Sequence, residues 1–205
     1  MNQVTTGLRA VLSNPLVYNL FQNLMGARTG RRDFADNFIR AKSGDRILDI
    51  GCGTAQILDY LPAGVVYHGF DVSPDYIAAA AMRYGDKGIF TCKELTETDI
   101  AALPRFDIVL ASGVLHHMDD AYATALLALT HGALKPGGRL VTIDPCYDDG
   151  ERQIARFIVS RDRGQHVRTP AHYSDMVRRI FPDMRGVVRH RAWIPYTHWI
   201  MECSA

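Results

Sequence analysis

A glycine-containing turn at residues 46–55 constrains the fold of this chain more than any other segment. The mainly apolar run at 47–50 is typical of a buried strand, and Gly51 and Gly53 follow it before a helix-like stretch. Glycine accepts positive φ and carries no Cβ, so the backbone can approach a ligand closely here. Amides at the start of the next helix would point toward whatever is bound. The segment therefore predicts a strand–turn–helix unit with a binding site at its turn.

Strand-like and helix-like segments alternate over the rest of the first 150 residues. Strands are predicted at 46–50, 65–71, 88–92, 106–111 and 138–144, helices at 15–25, 30–41, 54–61, 74–84 and 120–134, and a short helical turn within 93–105. Strands separated by helices pair in parallel with right-handed crossovers, which predicts a three-layer α/β fold. The block Leu134-Lys-Pro-Gly-Gly138 predicts that a helix ends at Lys135 and that the chain turns sharply into the fifth strand.

The pattern changes after residue 150. Helices are predicted at 151–162 and 171–181, and strands at 186–194 and 197–203. Only Pro195 and Tyr196 link these last two strands, so they must be antiparallel. Five parallel strands followed by such a hairpin indicate one doubly wound domain over residues 1–205.

Composition excludes several classes of protein. The 205 residues suffice for one domain with a sizeable core, and the net charge of +1 gives no reason to expect nucleic acid as a partner. The chain starts without a signal-like segment and has no apolar run of membrane-spanning length. The cysteines are far apart, which argues against a zinc site or disulfides and for the reducing cytoplasm; they are Cys52, Cys92, Cys146 and Cys203.

Two acids near the glycine turn indicate what it binds. Asp49 precedes Gly51 and would repel a pyrophosphate but attract a cation; alternatively, amides of the turn satisfy this carboxylate. Asp71 ends the second predicted strand, where an acid accepts hydrogen bonds from ribose hydroxyls. The alternative is that Asp71 or Ser73 caps the following helix. Gln56 stands where a dinucleotide fingerprint has its third glycine, which argues against NAD.

Four motifs together resemble the class I S-adenosylmethionine-dependent methyltransferases. They are Leu48-Asp-Ile-Gly-Cys-Gly-Thr54, Gly69-Phe-Asp-Val-Ser73, Phe106-Asp-Ile-Val-Leu-Ala-Ser-Gly-Val-Leu-His-His117 and Leu134-Lys-Pro-Gly-Gly138. The resemblance implies a Rossmann-like, mostly parallel seven-stranded sheet with its last strand antiparallel. It also implies a helical lid at 1–43, a cofactor platform at 44–145 and an acceptor-side segment at 146–205.

The resemblance also implies which residues bind S-adenosylmethionine. The turn would lie under the methionine part, Asp71 would hold the ribose hydroxyls and Val72 would lie against the adenine. Glu94 is the candidate for the adenine amine. The remaining predicted cofactor residues are Asp49, Gly51, Cys52, Gly53, Ser112 and Gly113. Ala55 departs from the glycine that many members have, at little expected cost.

Candidate acceptor-side residues follow the fourth and fifth strands. His116 or His117 could deprotonate an acceptor hydroxyl, or could shape the loop and line the pocket. Asp144 and Tyr147 are placed for contact with the acceptor. The alternative is that they belong to an ordinary turn with exposed acids. The string Arg161-Asp-Arg-Gly-Gln-His-Val-Arg168 forms a cluster of three arginines with His166, within a segment (151–191) of ten arginines and four acids. Of this cluster, Arg161, Arg163 and His166 are the candidates for binding a phosphate or carboxylate, but the cluster equally suits the capping of helix carbonyls and pairing with acids. No spacing indicates a metal site.

These observations predict a cytoplasmic enzyme that methylates a small-molecule or carbohydrate-linked acceptor, with oxygen as the expected nucleophile. Three alternatives stay open: an N-methyltransferase of a small metabolite, a catalytically silent cofactor-binding protein, and an NAD-dependent oxidoreductase. The sequence predicts no nucleic-acid partner and no membrane span, and it leaves the oligomeric state undetermined.

Overall fold

The computed structural model describes residues 27–148, 166–191 and 196–205. The strands are β1 (Arg46–Ile50), β2 (Val66–Asp71), β3 (Gly88–Cys92), β4 (Phe106–Ser112), β5 (Leu134–Pro145), β6 (Met184–Arg191) and β7 (Tyr196–Ser204). The α-helices are α1 (Ala27–Phe34), α2 (Pro74–Tyr84), α3 (Glu97–Ala102), α4 (Asp120–Ala133) and α5 (Pro170–Arg178). A π-helical turn (Ala35–Ile39) and two 3₁₀ turns (Gln56–Tyr60 and Leu115–His117) complete the elements.

The sheet has seven strands in the order β3-β2-β1-β4-β5-β7-β6, with β7 antiparallel to both of its neighbours. The predicted mostly parallel α/β fold with a terminal antiparallel hairpin is confirmed. The helices predicted at 15–25 and 151–162 lie outside the described residues, and the lid over 1–43 stays a prediction. Among the described residues, no helix is both long and apolar enough to cross a membrane.

Contacts divide the chain into two compact units, with the boundary between Leu95 and Thr96. In the first unit, β1, β2 and β3 pair in parallel. Helix α2 begins at a Ser73 N-cap followed by Pro74, a combination that favours helix initiation. The fully buried Ile47 and Leu48 of β1 contribute to the core of this unit.

The helix predicted at 54–61 is instead a single 3₁₀ turn over Gln56–Tyr60. Its length is limited from both sides. Ala55 lies in the left-handed region, and Leu61 is extended because the following Pro62 disfavours helical backbone before it. The chain therefore has room for one short turn only.

In the second unit, β4 pairs in parallel with β5, and β7 lies between β5 and β6. The prediction for the block at 134–138 is wrong in detail: α4 ends at Ala133, and Leu134 already pairs with Phe106. A register shift follows, so the block is an irregularity within β5 instead of a turn before it. A Cβ at Gly138 would lie 2.9 Å from the Lys135 carbonyl oxygen, so this close approach requires glycine.

Candidate functional site

The glycine turn after β1 is held against the end of β2. The amides of Gly51 and Cys52 both donate to the carbonyl oxygen of Phe70, at 2.8 and 3.0 Å. Gly51 and Gly53 have φ of +68° and +54°, a region that favours glycine. Within the described part of the chain, a Cβ built on Gly53 would meet no atom within 4 Å. The turn therefore presents a backbone surface that a ligand can approach closely.

Asp71 ties this turn to the start of α2. Its Oδ2 accepts from the Gly53 amide and its Oδ1 from the Ser73 amide, both at 2.8 Å. The Ser73 hydroxyl caps α2 by accepting from the Tyr76 amide, so the capping alternative holds for Ser73. A carboxylate oxygen can accept two hydrogen bonds, so Asp71 keeps capacity for further donors such as ribose hydroxyls.

Asp49 is buried beneath the turn, with 4% of its surface exposed. The alternative that turn amides satisfy it is wrong for Gly51 and Cys52, since both donate to Phe70. Instead, the Tyr67 hydroxyl donates to Asp49 Oδ2 at 2.5 Å, while Oδ1 has no hydrogen-bond partner among the described residues. Burial raises the pKa of Asp49 to about 7; the Tyr67 hydrogen bond opposes this rise.

The other predicted cofactor residues of the first unit differ in exposure. Val72 is 46% exposed directly after Asp71, so it offers an apolar surface beside that carboxylate. Glu94 is exposed in the segment after β3. The Cys52 thiol lies 3.6 Å from the Gly53 carbonyl oxygen, and burial raises its pKa, which keeps it protonated and unsuited to act as a nucleophile.

In the second unit, Ser112 ends β4 with an exposed side chain, and Gly113 follows it with φ of +70°. The Gly113 amide donates to the Ile143 carbonyl oxygen at 2.7 Å. A Cβ at Gly113 would lie 3.7 Å from His116 Cε1, an ordinary contact, so the positive φ accounts for glycine here.

His116 and Asp144, two of the predicted catalytic residues, are in direct contact. His116 Nδ1 lies 2.9 Å from Asp144 Oδ1, and the His116 amide donates to the same oxygen at 3.2 Å. The side chains are 6% and 1% exposed. His117 lies beside this pair, with its ring tilted by 38° to that of His116 and the two ring centroids 4.0 Å apart. The arrangement resembles the pairs in which a carboxylate orients a histidine that acts as a general base and fixes the tautomer of its imidazole.

Arg168, the third arginine of the cluster at 161–168, organises the loop that carries His116. Its guanidinium donates to the carbonyl oxygens of Leu115, His166 and Met118 at 2.9, 2.9 and 2.6 Å, and to Asp120 Oδ1 at 2.8 Å. The residue is only 5% exposed. The capping and pairing alternative for the arginine cluster therefore holds for Arg168. Its presence in that cluster was the available signal, but sequence does not reveal which arginine is buried.

The predicted substrate-binding residues have different outcomes. Tyr147 donates its amide to the Arg168 carbonyl oxygen at 3.1 Å, and His166 donates its amide to the His116 carbonyl oxygen at 3.0 Å. Tyr147 therefore contacts Arg168, and His166 contacts the loop that carries His116. Arg161 and Arg163 lie outside the described residues.

Comparison with known proteins identifies relatives of this chain. Residues 48–140 match a family model described as a methyltransferase domain. A ubiquinone biosynthesis O-methyltransferase of Bradyrhizobium sp. is 38% identical over 104 residues, which cover 48% of this chain and 39% of that protein. The chain thus spans about two-fifths of that curated relative.

Solved structures share the fold at low sequence identity. The S-adenosylmethionine-dependent methyltransferase SibL gives a TM-score of 0.69 at 19% identity, over 94% of this chain and 60% of that one. The second structure is that of phosphoethanolamine N-methyltransferase 2 of Haemonchus contortus, in complex with phosphomonomethylethanolamine and S-adenosylhomocysteine. It gives a TM-score of 0.65 at 17% identity, and the match covers 86% of this chain and 52% of that one.

Proposed function

We propose that this chain is a class I S-adenosylmethionine-dependent methyltransferase and that it transfers the methyl group of that cofactor to an oxygen atom of a small-molecule or carbohydrate-linked acceptor. The match of residues 48–140 to a methyltransferase domain supports the first part of this proposal. The hydrogen bond between His116 and Asp144 is the observation that carries the choice of oxygen. The name of the Bradyrhizobium relative, an O-methyltransferase, supports the same choice.

The first unit has features suited to S-adenosylmethionine. The open space at Gly53 admits a ligand against the backbone, and Asp71 can accept hydrogen bonds from a ribose. The exposed Val72 offers an apolar contact for a base, and the buried Asp49 offers an acid to a cation. In this proposal Gly51 and Cys52 shape the turn under the methionine part, and Glu94 reaches the adenine amine.

When bound, the cofactor would supply an electrophilic methyl carbon: an acceptor nucleophile would bond to this carbon while its bond to the positively charged sulfur breaks and the sulfur leaves as a neutral thioether. An acceptor hydroxyl must lose its proton to become a strong nucleophile, and His116 can accept it. Asp144 keeps the proton of His116 on Nδ1, so the lone pair is on Nε2. The same carboxylate then stabilises the imidazolium that forms, and general-base catalysis of this kind contributes about 10²–10⁴-fold in rate.

Arg168 supports this step indirectly, by holding the loop at 115–118 through carbonyl oxygens on both sides of His116. We propose that Tyr147 and His166, with Arg161 and Arg163, contribute to acceptor binding. His117, beside His116, is the second candidate base.

The first test is calorimetric titration of the protein with S-adenosylmethionine and, separately, with NAD. We expect micromolar binding of S-adenosylmethionine and none of NAD. Asp71→Ala should weaken the binding at least tenfold, whereas Ser73→Ala, which removes only the helix cap, should leave it within about threefold. Binding of NAD alone, or of neither ligand, would refute the proposal.

The second test identifies the nucleophile. The protein is incubated with S-adenosylmethionine and a panel of small hydroxyl, amine and carbon-acid acceptors, and methylated products are located by mass spectrometry and NMR. O-methyl products that disappear with His116→Asn support the proposal. N-methyl products would establish the amine alternative instead, and cofactor binding without turnover on any acceptor would favour a silent binding protein.

A further inference from the structure

Tyr67 occupies a space in the sheet that two glycines leave open. Its ring is buried, and a Cβ added to Gly69 would lie 3.0 Å from Tyr67 Cε1. A Cβ added to Gly88, its direct partner on β3, would lie 2.9 Å from Tyr67 Cδ1. Any larger residue at either position would displace the ring. The surrounding sequence therefore fixes where the Tyr67 hydroxyl lies.

That hydroxyl donates to Asp49, and the contact is hard to explain as packing alone. The hydrogen bond to Oδ2 measures 2.5 Å, but Oδ1 is buried without a hydrogen-bond partner among the described residues. Leaving a buried polar atom unsatisfied costs about 1–3 kcal/mol. A pair of apolar side chains would fill the same place without this cost. An unsatisfied oxygen at a ligand-binding turn indicates a partner that arrives with the ligand.

We propose that Tyr67 is a positioning residue of the cofactor site: its hydroxyl holds Oδ2 of Asp49, leaves Oδ1 for a cationic group of S-adenosylmethionine, and thereby couples cofactor binding to release of the Asp49 proton. This inference rests on the function proposed above. The proton balance is simple. The neutral carboxyl of Asp49 becomes a carboxylate, the proton leaves to solvent, and the positive charge of the ligand replaces it.

The electrostatic surroundings of Asp49 support proton release. Tyr67 and Asp71 of β2 act on the Asp49 carboxyl, and Cys52 of the turn also interacts with it. Tyr84 of α2 acts electrostatically on Tyr67. Each of these groups is neutral or negative, so none compensates a charge on Asp49. Burial accordingly raises its pKa to about 7, and a bound cation would lower it.

The inference predicts a specific dependence of cofactor affinity on pH. Below a pH of about 7 the free protein must give up a proton to bind, so affinity should rise up to tenfold per pH unit. Above that pH, Asp49 is already ionised and affinity should become constant. Removing the Tyr67 hydroxyl takes away a hydrogen bond that lowers the pKa of Asp49, so the plateau should move to higher pH.

The experiment is calorimetric titration of the full chain with S-adenosylmethionine from pH 5.5 to 8.5. At pH 6.5 it is repeated in phosphate and in Tris, whose different ionisation enthalpies reveal the number of protons released. At this pH Asp49 is about three-quarters protonated in the free protein, so we expect it to release about three-quarters of a proton per cofactor in the wild type and none in Asp49→Asn. Tyr67→Phe should weaken binding about tenfold at pH 7 and shift the plateau upward.

Tyr84→Phe is the matched control, because it removes a hydroxyl from the same unit without touching Asp49; its pH profile should equal that of the wild type. Thermal melting of each variant checks that it is folded. A wild-type affinity that does not vary with pH, or a Tyr67→Phe profile identical to the wild type, would overturn the inference and leave the proposed function intact. Failure to bind S-adenosylmethionine at any pH would overturn both.

Discussion

His116 Nδ1 lies 2.9 Å from Asp144 Oδ1, although 28 residues separate the two in the sequence. β4 and β5 are parallel neighbours, so the loop that follows β4 lies beside the carboxyl end of β5, which contains Asp144. The carboxylate accepts from both the ring and the amide of His116, which sets the position of the imidazole as well as its tautomer. This relationship leads to the first prediction.

Asp144→Asn should reduce the rate of methyl transfer about 10²–10⁴-fold, because the amide cannot stabilise the imidazolium and favours the wrong tautomer. Cofactor affinity should stay within about threefold, since Asp144 is assigned to the acceptor side. Single-turnover kinetics and calorimetry separate the two effects. Asp148→Asn is the control: this residue pairs with His190 at 3.3 Å and should have little effect. Equal losses in both variants would contradict the role assigned to Asp144.

Arg168→Met should lower the free energy of unfolding by about 3 kcal/mol, because three carbonyl oxygens lose a charged donor in a largely buried place. Asp120→Asn removes the charge that pairs with Arg168, and with it the contact of the other carboxylate oxygen to His172, but leaves the three carbonyl contacts in place. Asp120 is 60% exposed, so water replaces its partner and the loss should stay below about 1 kcal/mol. Urea denaturation measures the loss of unfolding free energy in each of the two variants. Similar losses would show that the ion pair, not the carbonyl contacts, dominates.

Ala55→Gly should change stability by less than about 0.5 kcal/mol. Relief of the left-handed backbone at φ of +53° gains about 1–2 kcal/mol. The added chain entropy of glycine and the lost burial of one methyl group cost about 1.5 kcal/mol together. Ala78→Gly, in α2, has no backbone strain to relieve and should cost about 1 kcal/mol. Chemical denaturation of both variants checks the difference, and equal losses would exclude strain at Ala55.

The stability of the cofactor-free protein should depend on pH through Asp49. The folded-state pKa of about 7 exceeds the ordinary 3.8, so the native state binds the proton more tightly than the unfolded chain. The stability from this group is fully present below a pH of about 4 and is lost as pH rises through about 7. This lowers the free energy of unfolding by at most about 4 kcal/mol. Denaturation of wild type and Asp49→Asn at pH 5 and 8 should show the variant gaining relative stability at pH 8; a constant difference would contradict this prediction.

The sequence predicted most of the fold because the local patterns and the tertiary contacts agree there. The predicted limits of β1 and β3 match the structure, and those of β2 differ by one residue. Apolar runs bounded by turn residues identify buried strands, since such strands are covered on both faces. The deviations lie where the backbone departs from regular geometry: the left-handed Ala55 shortened a predicted helix, and Gly138 allowed β5 to begin within a predicted turn.

The candidate site was predictable in its residue types but not in its contacts. Asp49, Asp71, His116 and Asp144 follow or end strands whose order the motifs indicate. Tyr67 gave no comparable signal, because a tyrosine in a strand is ordinary, and Arg168 was indicated only as one arginine of a cluster, with nothing to show that it is the buried one. Their roles depend on partners that are distant in the sequence. Tyr67 and Asp49 are separated by 18 residues, and Arg168 is about 50 residues from the loop at 115–118.

The sequence alone therefore determined the order of strands and helices, the glycine turn and the acids beside it, because these depend on backbone preferences and on burial along a single segment. Tertiary structure decided that Asp49 pairs with Tyr67, that Asp144 pairs with His116, and that Arg168 is buried. Hydrogen-bond partners are set by strand register and by which polar groups lose their water together, and both arise only when distant segments pack against each other.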